Sequence, residues 1–189
     1  EIVEMTDYAN IKAKNLSGGQ MQRVALARVL ALEPEVLLLD EPFSHIDNFR
    51  KNSLRRKLFG YLKEKQITTI FATHDSSDVL SFSDEVLVLK KGEIIKEGNP
   101  KHIYNNPKNK YIASLFGDVN ELVIDGKTEL IYPSQLMIVE KSKLKVVVIN
   151  TYFLGNHFLI ETFKNSEKIF LESEIEVSIG SEIYLKKKP

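Results

Sequence analysis

The sequence contains no cysteine, carries no net charge and has no long apolar run. Without cysteine the chain forms no disulfide and offers no thiolate to a metal, and it is compatible with a reducing compartment. The 26 Lys and Arg residues balance the 26 Asp and Glu residues, so no net charge attracts nucleic acid or an acidic membrane surface. No apolar run approaches the roughly 20 residues that cross a bilayer. These absences favour one or two globular domains, and 189 residues are enough to bury an apolar core.

Residues 17–117 alternate between strand and helix patterns. Ser17 precedes the periodic stretch GGQMQRVALARVLAL, as an N-cap residue does. The run VLLLD at 36–40 is continuously apolar and ends in charge, which is typical of a parallel strand buried on both faces. ITTIFAT at 67–73 predicts a second strand of this kind, and residues 48–65 predict a basic amphipathic helix between the two. The alternation predicts an α/β fold with a parallel sheet.

After Gly117 the pattern changes to short β segments. LKVVVINTYF and HFLIETF predict two strands around a turn at residues 154–156. Over residues 169–179, apolar side chains share one face and glutamates share the other, which predicts one half-buried strand. A small β-barrel or sandwich of about 70 residues is the expected unit. We therefore predict a domain boundary between residues 117 and 118.

Four short motifs follow one another in the first half of the chain. They are LSGGQ at 16–20, VLLLDEP at 36–42, SHID at 44–47 and ATHD at 72–75. In this order they resemble the signature loop, Walker B strand, D-loop and switch histidine of the ATP-binding-cassette (ABC) ATPases. The resemblance covers roughly residues 1–117, and it implies part of an α/β P-loop NTPase core that acts on ATP with Mg²⁺.

Two acidic residues end the Walker B motif. A buried parallel strand leaves its charged residues at the carboxyl edge of the sheet, where ligands bind. Asp40 would hold Mg²⁺ there, directly or through water, because magnesium takes few carboxylates and keeps several waters. Glu41 would polarise the attacking water as general base, an effect worth about 10²–10⁴-fold. By resemblance, His74 contacts the γ-phosphate and positions the water, and Asp47 is the D-loop aspartate.

The signature motif opens a helix with groups that suit a phosphate. Ser17 supplies a hydroxyl, and Gly18 and Gly19 supply backbone amides at the positive end of the helix. In the resembled family this loop contacts the γ-phosphate held by the opposite subunit, and Gln20 orients the loop. The resemblance therefore implies a nucleotide site that is completed only in a dimer.

The 189 residues contain no G-x-x-x-x-G-K-[ST] motif. In the resembled family this P-loop lies upstream of the signature, and it supplies much of the positioning and charge stabilisation for phosphoryl transfer. The chain begins shortly before the signature, with Glu1 rather than methionine. We therefore expect the P-loop to belong to a part of the natural protein that precedes these residues. We also expect the 189 residues alone to be inactive as an ATPase.

The second half of the chain resembles one branch of the family. KKGEIIKEGNPKHIYNNPKNKYIASLFG is similar to the tail of importer ATPases that serve sugars, polyamines or ferric iron. Residues 118–189 are similar to the small OB-like (TOBE-type) regulatory domain of those subunits. The implied function is the ATP-hydrolysing subunit of an ABC importer, peripheral to the cytoplasmic face of the cell membrane. The implied partners are a second ATPase subunit, in a homodimer, and membrane permease subunits.

Other functions stay open at this point. The chain could be an ABC protein of repair or translation that takes no part in transport, although a C-terminal β domain is unexpected there. It could also be a binding module whose β domain senses a ligand or a partner. Four aromatic residues could stack on single-stranded nucleic acid, namely Tyr152, Phe153, Phe158 and Phe163. The zero net charge and the lack of a basic stripe argue against a nucleic-acid partner.

Overall fold

The computed structural model describes residues 2–124, 126–165 and 167–188, apart from the side chain of Asn48. It divides into two compact units, Glu1–Asp84 and Glu85–Pro189. The division falls earlier in the chain than the domain boundary at residues 117 and 118, which stays a prediction. None of the helices in the described ranges combines the length and the apolar character needed to cross a membrane.

The first unit has the predicted alternation of helices and strands. It contains helix α1 (Gly18–Leu30), strand β1 (Val36–Asp40), helix α2 (Asn48–Glu64), strand β2 (Thr68–Ala72) and helix α3 (Ser76–Phe82). Short 3-10 turns at Thr6–Tyr8 and Ala13–Asn15 precede α1. Strands β1 and β2 are parallel, with Asp40 opposite Ala72. The α/β arrangement predicted for this part of the chain is therefore observed.

Helix α1 begins with a complete capping box. The hydroxyl of Ser17 accepts from the backbone N–H of Gln20 at 3.3 Å, and Oε1 of Gln20 accepts from the backbone N–H of Ser17 at 2.8 Å. These bonds satisfy backbone donors that a helix start otherwise leaves without partners. The N-cap predicted at Ser17 is confirmed.

The core of the first unit lies between α1, α2 and one face of the two strands. Helix α2 contributes Leu54, Leu58 and Leu62, which are spaced four residues apart and therefore share one face. The core also contains Val3, Leu26, Leu30, Leu37 and Phe43. The apolar stripe of the predicted amphipathic helix is therefore the surface that holds α2 against the strands.

The prediction that β1 is buried on both faces is wrong. Leu37 is 2% exposed, but Leu38 is 71% exposed and Ile70 on β2 is 62% exposed. Successive side chains of a strand point to opposite faces. A continuous apolar run therefore makes both faces apolar, but it does not determine what packs on each. The described residues cover one face and leave the other open to solvent.

The second unit starts with a hairpin and two short helices and continues as an antiparallel β structure. Its first elements are strands β3 (Val86–Lys90) and β4 (Glu93–Gly98) and helices α4 (Pro100–Asn105) and α5 (Lys110–Ser114). The strands that follow are β5 (Asn120–Ile124), β6 (Lys127–Ile131), β7 (Leu136–Val139), β8 (Leu144–Phe153), β9 (Phe158–Lys164), β10 (Glu167–Ser173) and β11 (Glu182–Lys187). A 3-10 turn at Pro133–Gln135 precedes β7.

Five of these strands form one sheet around an enclosed core. The strand order is β10-β9-β8-β11-β7, and the edge strands β7 and β10 also approach each other, so the sheet curls. β5 and β6 form a separate pair. The side chains that fill the core are Leu122, Ile131, Leu136, Val146, Val148, Ile160, Ile169, Leu171, Ile183 and Leu185. The predicted β character of these residues is observed.

The strand predicted over residues 169–179 ends at Ser173. The hydroxyl of Ser173 accepts from the backbone N–H of Ile175 at 3.2 Å and donates to the Ile175 carbonyl at 2.8 Å. Such a local turn competes with strand pairing. Ile175 and Ile179 are each 68% exposed, and Gly180, with φ of 85°, turns the chain toward β11. The apolar–acidic alternation therefore continues past the end of the sheet, and that part of the prediction is wrong.

Three aromatic rings join the two short helices to the strands within the second unit. Tyr104 stacks on Tyr132 with 4.3 Å between ring centroids and 2° between ring planes, and Phe116 meets Tyr104 edge-on at 5.7 Å. The Tyr132 hydroxyl donates to the carbonyl of Ala113 at 3.4 Å. Burial raises the pKa of the Tyr132 phenol to about 12. Helices α4 and α5 are therefore packed against the β structure that follows them.

Candidate functional site

The carboxyl ends of β1 and β2 bring three predicted site residues together. Asp40 ends β1, Glu41 follows it directly, and His74 lies two residues beyond β2. The backbone N–H of Glu41 donates to the Ala72 carbonyl at 3.0 Å, which extends the pairing of the two strands. Oε1 of Glu41 lies 2.6 Å from Nδ1 of His74. The proposed base and the proposed switch histidine are therefore direct hydrogen-bond partners.

Glu41 has a left-handed backbone conformation, with φ of 45°. For a residue other than glycine this costs on the order of 1–3 kcal/mol and persists only where the surroundings fix it. The Glu41 carbonyl accepts from Nε2 of Gln22 at 2.8 Å and from the Ser44 hydroxyl at 3.0 Å. With the N–H bonded to β2, both backbone groups of Glu41 are fixed. The sharp turn after Asp40 is thereby held in place.

The Asp40 side chain is exposed at this edge, and within the described residues it makes no hydrogen bond or ion pair. Mg²⁺ takes one or two protein carboxylates and completes its shell with waters and substrate phosphates. In the ranges that the structure describes, no three His, Cys, Asp or Glu side chains gather into a metal-binding group. One free carboxylate at a strand end therefore fits magnesium held jointly with a phosphate, rather than a metal enclosed by protein ligands.

The start of α1 packs closely against the loop that follows β1. A Cβ on Gly19 would lie 2.3 Å from the carbonyl oxygen of His45, whereas a Cβ on Gly18 would meet nothing within 4 Å. Real Cβ atoms do not approach this closely, so the contact requires glycine at residue 19. Gly18 has open space around it. Packing therefore requires glycine at residue 19 of the signature motif but not at residue 18.

Gln22 lies outside the four sequence motifs, one turn along α1 from Gly19. Its Nε2 donates to the Glu41 carbonyl at 2.8 Å, and its Oε1 accepts from the backbone N–H of His45 at 3.4 Å. The side-chain amide therefore spans the loop between the Walker B and D-loop motifs. Its position three residues after Gly19, on the same side of the helix, is the signal that could have identified it.

A cluster of charged residues lies directly beyond His74. Asp75 accepts from Lys51 at 2.9 Å and from the guanidinium of Arg55. The same guanidinium pairs with Asp78, which is almost completely buried. Lys51 and Arg55 are four residues apart on α2, so this cluster ties α2 to the segment that carries His74. The pairing of these residues is not visible in the sequence motifs.

The two acids of this cluster have pKa values shifted in opposite directions. Burial raises the pKa of Asp75, but hydrogen bonds from Ser77 and from the two basic side chains outweigh burial and hold this pKa well below its usual range. Burial dominates at Asp78 and raises its pKa against the attraction of Arg55. Asp75 is therefore a firmly ionised anchor next to His74.

Among the described residues, no hydrogen bond or ion pair joins Asp47 to the Glu41–His74 pair. Asp47 is exposed at the N-cap of α2, where its side chain makes no capping hydrogen bond. A cleft of about 70 Å³ beside the pair is lined by Glu41, Phe43, Ser44, Lys51, Thr73, His74, Asp75 and Asp78. A larger hollow of about 630 Å³ is lined by Glu4, Thr6, Asp7, Tyr8, Phe49, Arg50 and Ser53 and holds none of the predicted site residues.

Comparisons with known proteins agree with the motifs. Residues 1–44, which include LSGGQ and VLLLDEP, match the family described as ABC transporter. The spermidine/putrescine import ATP-binding protein PotA of Bacillus thuringiensis (strain Al Hakam) is 36% identical over 174 residues, or 92% of this chain and 52% of that protein. The corresponding protein of Clostridioides difficile (strain 630) is 32% identical, in an alignment that covers 97% of this chain and 60% of that protein.

A solved structure is also similar over part of the chain. A dimeric ATP-binding cassette in a post-hydrolysis state, bound to ADP and phosphate, is 33% identical over 52% of this chain and 44% of that one, with a TM-score of 0.48. The chain spans about half the length of the Bacillus relative that it matches. The sequence matches to curated relatives run across nearly all of this chain. The chain is therefore similar to the ABC transporter ATPases, and the relatives that it matches include ATP-binding proteins of importers.

Proposed function

We propose that these residues are part of the ATP-hydrolysing subunit of an ABC importer, which energises the uptake of a solute across the cell membrane. The observation that carries the proposal is the 2.6 Å contact between Glu41 and His74 at the adjoining ends of two parallel strands, beside the free carboxylate of Asp40. The relatives named above are import ATP-binding proteins, which supports the importer assignment.

Each residue of this group has a distinct part in hydrolysis. Glu41 accepts the proton of the attacking water as general base. His74, whose ring is 80% exposed, donates Nδ1–H to the Glu41 carboxylate, so Nε2 is left to accept from the water, or to donate to the γ-phosphate when the ring is protonated. Asp40 would hold Mg²⁺, which when bound supplies positive charge to the phosphoryl oxygens. The fixed backbone of Glu41 keeps the base in position.

The signature residues serve the nucleotide of a partner subunit in a homodimer. The start of α1 can bind a phosphate through its backbone amides. The sequence has no P-loop motif, so the 189 residues do not supply the loop that would surround the phosphate. Gly18 has open space where a Cβ would lie, which leaves room for a partner's phosphate, while Gly19 permits the close contact with His45. Gln20 orients Ser17 through the capping box. Asp47 belongs to the D-loop of the same interface.

The remaining residues fit a regulatory domain of the importer type. We assign residues 1–117 to the ATPase domain and residues 118–189 to an OB-like (TOBE-type) domain. The curled five-stranded antiparallel sheet and its enclosed core support this assignment. The subunit would act at the cytoplasmic face of the membrane with permease subunits as partners. Transport of a polyamine, a sugar or ferric iron is decided by those partners.

The proposal can be tested in a joined protein, in which the first half of the Bacillus thuringiensis relative precedes residues 1–189 and, by family resemblance, supplies the P-loop. We expect this protein to hydrolyse Mg-ATP. Glu41→Gln should lower kcat by about 10²–10⁴-fold and leave ATP binding intact, because it keeps the shape of the side chain and removes the base. The measurements are steady-state phosphate release and titration calorimetry with ATP.

A control variant lies at the other end of the same strand. Glu35 is exposed just before β1, and Glu35→Gln should leave turnover unchanged. A joined protein that folds, binds ATP and does not hydrolyse it would contradict the proposed function. Near-normal turnover by Glu41→Gln would assign the base to another residue, with His74 the first candidate. The 189 residues alone should show neither turnover nor micromolar ATP affinity.

The dimer can be tested with mixed subunits of the joined protein. Ser17→Arg should leave ATP binding by the monomer intact and block ATP-driven dimerisation, because the side chain fills the space meant for the partner's phosphate. Mixing it with a subunit that lacks the P-loop lysine leaves one complete composite site, so the mixture should dimerise better than either variant alone. Loss of nucleotide binding by the Ser17→Arg monomer would show that the signature acts within its own subunit.

A further inference from the structure

The link between α1 and Glu41 runs through one side chain. The Gln22 amide is directed so that its donor faces a carbonyl and its acceptor faces an N–H, and only this orientation satisfies both partners. The two backbone groups belong to Glu41 and His45, which lie on either side of a tight turn. Gln22 therefore fixes the spacing between the candidate base and the D-loop.

Glu41 depends on such support more than an ordinary loop residue does. Its left-handed φ is unfavourable, and it persists only if the bonds around it are kept. The bonds to the Glu41 backbone come from β2, from Ser44 and from Gln22. The bond from β2 lies within the β1–β2 pair, and Ser44 lies within the turn itself. Gln22, in contrast, lies on α1, the helix that the signature motif opens (called the signature helix below).

The helix cannot shift away from the turn without breaking this link. The tight backbone contact between Gly19 and His45 lies one helical turn before the Gln22 bridge. The first two turns of α1 are thus joined to the loop at two successive points. Any displacement of the helix start would be transmitted to the Glu41 backbone.

We propose that Gln22 is a positioning residue, through which the signature helix sets the conformation of the catalytic Glu41. This inference rests on the proposed function for its consequence. There, the helix start contacts the nucleotide of the partner subunit, while Glu41 acts on the nucleotide of its own subunit. Gln22 then couples the two nucleotide sites of the dimer, because a phosphate that settles at one helix start fixes the base of the other site.

The test uses the 189-residue chain and needs no nucleotide. Gln22→Met keeps the length of the side chain and removes both hydrogen bonds. A hydrogen bond is worth about 0.5–1.5 kcal/mol, which corresponds to roughly a 2–13-fold change. We expect hydrogen exchange at the Glu41 amide to speed up by that factor and the ring ¹⁵N resonances of His74 to shift. Global destabilisation alone would lower the unfolding midpoint without moving the His74 ring signals of the folded protein.

Two further variants make the result specific. Gln22→Glu retains an acceptor for His45 and loses the donor to Glu41, so the Glu41 amide should exchange faster while the His45 amide stays as in the unchanged chain. Arg28→Met places the same new residue at an exposed position of α1, and it should alter neither signal. If Gln22→Met leaves the Glu41 amide and the His74 ring unchanged, or if Arg28→Met alters them equally, the inference is wrong.

The joined protein gives the second readout. There, Gln22→Met should lower kcat by several-fold and leave the ATP dissociation constant unchanged, and unchanged kcat would count against the inference. A joined protein without any turnover would overturn the proposed function, while the resonance and exchange measurements on the 189 residues would still decide the role of Gln22. The two failures are therefore distinguishable.

Discussion

The two units of the protein enclose their apolar residues to different degrees. From β5 to β11, a curled sheet surrounds its core, and Ile160 and Leu171 have no exposed surface. In the first unit, one face of β1 and β2 is covered and the other leaves Leu38 and Ile70 largely exposed. The candidate site lies at the end of this half-covered pair. The candidate site and the enclosed β core therefore belong to different parts of the chain.

The β3–β4 hairpin shares this property with the first unit although it lies in the second. Leu87, Leu89 and Ile94 are each more than half exposed. Strands with exposed apolar side chains thus occur in both compact units, which divide between Asp84 and Glu85. Compactness and the enclosure of an apolar core are therefore separate properties of a unit.

The largest expected effect is in the enclosed core. Leu171 on β10 is fully buried, and Leu171→Ala should lower the free energy of unfolding of the β structure by about 2–5 kcal/mol, because it leaves a cavity. Ile175→Ala, two residues beyond the strand and 68% exposed, should change it by less than about 0.5 kcal/mol. Urea unfolding followed through β8–β11 amide resonances measures both. Equal costs would refute the enclosed core.

The signature glycines provide the next test, since they differ only in their surroundings. Gly19→Ala should cost about 1–3 kcal/mol, because its Cβ would collide with the His45 carbonyl. Gly18→Ala should be neutral or stabilising by up to about 1 kcal/mol, since alanine favours the helix and nothing obstructs it. Residue-resolved unfolding of α1 is the measurement. A destabilising Gly18→Ala would show that the helix start is not open.

Acid should act on the two units differently because their buried carboxylates are held differently. Glu161 in β9 is 4% exposed and is surrounded by donors. Lys168 lies 2.6 Å away, and Asn150 and the Tyr152 hydroxyl donate at 3.1 and 2.9 Å. These donors, Lys168 first, lower the pKa of Glu161 to about 2. In the first unit, the lowered pKa of Asp75 is opposed by the raised pKa of Asp78.

A lowered carboxyl pKa gives stability that is present above the unfolded value and is lost as pH falls through the folded value. We therefore expect the β structure to lose stability between about pH 4.5 and pH 2. In the first unit, Asp75 behaves likewise, but protonation of Asp78 is favoured in the fold and offsets part of the loss. The measurement is the urea concentration at the unfolding midpoint of each unit, determined as a function of pH. Glu161→Gln should flatten the profile of the second unit only.

The smallest effect is expected on the open face of β1. Leu38→Ala should change the unfolding free energy of the 189-residue chain by less than about 0.5 kcal/mol, because the side chain is 71% exposed. Leu37→Ala, one residue earlier and 2% exposed, should cost about 2–5 kcal/mol. Thermal and urea unfolding of the two variants give the comparison. If Leu38→Ala costs as much as Leu37→Ala, that face is covered in solution.

The features predicted correctly from the sequence depend on short stretches. The Ser17 cap, strands β1 and β2, and helix α2 follow from neighbouring residues, since caps and periodicity are local. The grouping of Asp40, Glu41 and His74 follows from one rule, that adjoining parallel strands end at the same edge. Such features need no knowledge of the rest of the fold.

The features that the sequence does not reveal depend on distant residues. The Gln22 bridge and the Arg55 contacts with Asp75 and Asp78 join residues about twenty positions apart, and no local pattern specifies these partners. The prediction that β1 is buried on both faces is wrong for a related reason, because burial is decided by what packs against a strand. The strand at residues 169–179 ends early because a serine side chain bonds the backbone within the turn.

The stacked tyrosines give the second unit an optical signature. The chain has no tryptophan, so its near-ultraviolet absorption and emission come mainly from tyrosine. Two phenol rings stacked 4.3 Å apart and almost parallel are close enough to couple their electronic transitions, so we expect a circular dichroism contribution that separated rings lack. Because the Tyr132 pKa is about 12, its phenolate absorption should emerge late in an alkaline titration. Loss of this circular dichroism contribution would report, without any label, that the aromatic contact between the short helices and the strands has opened.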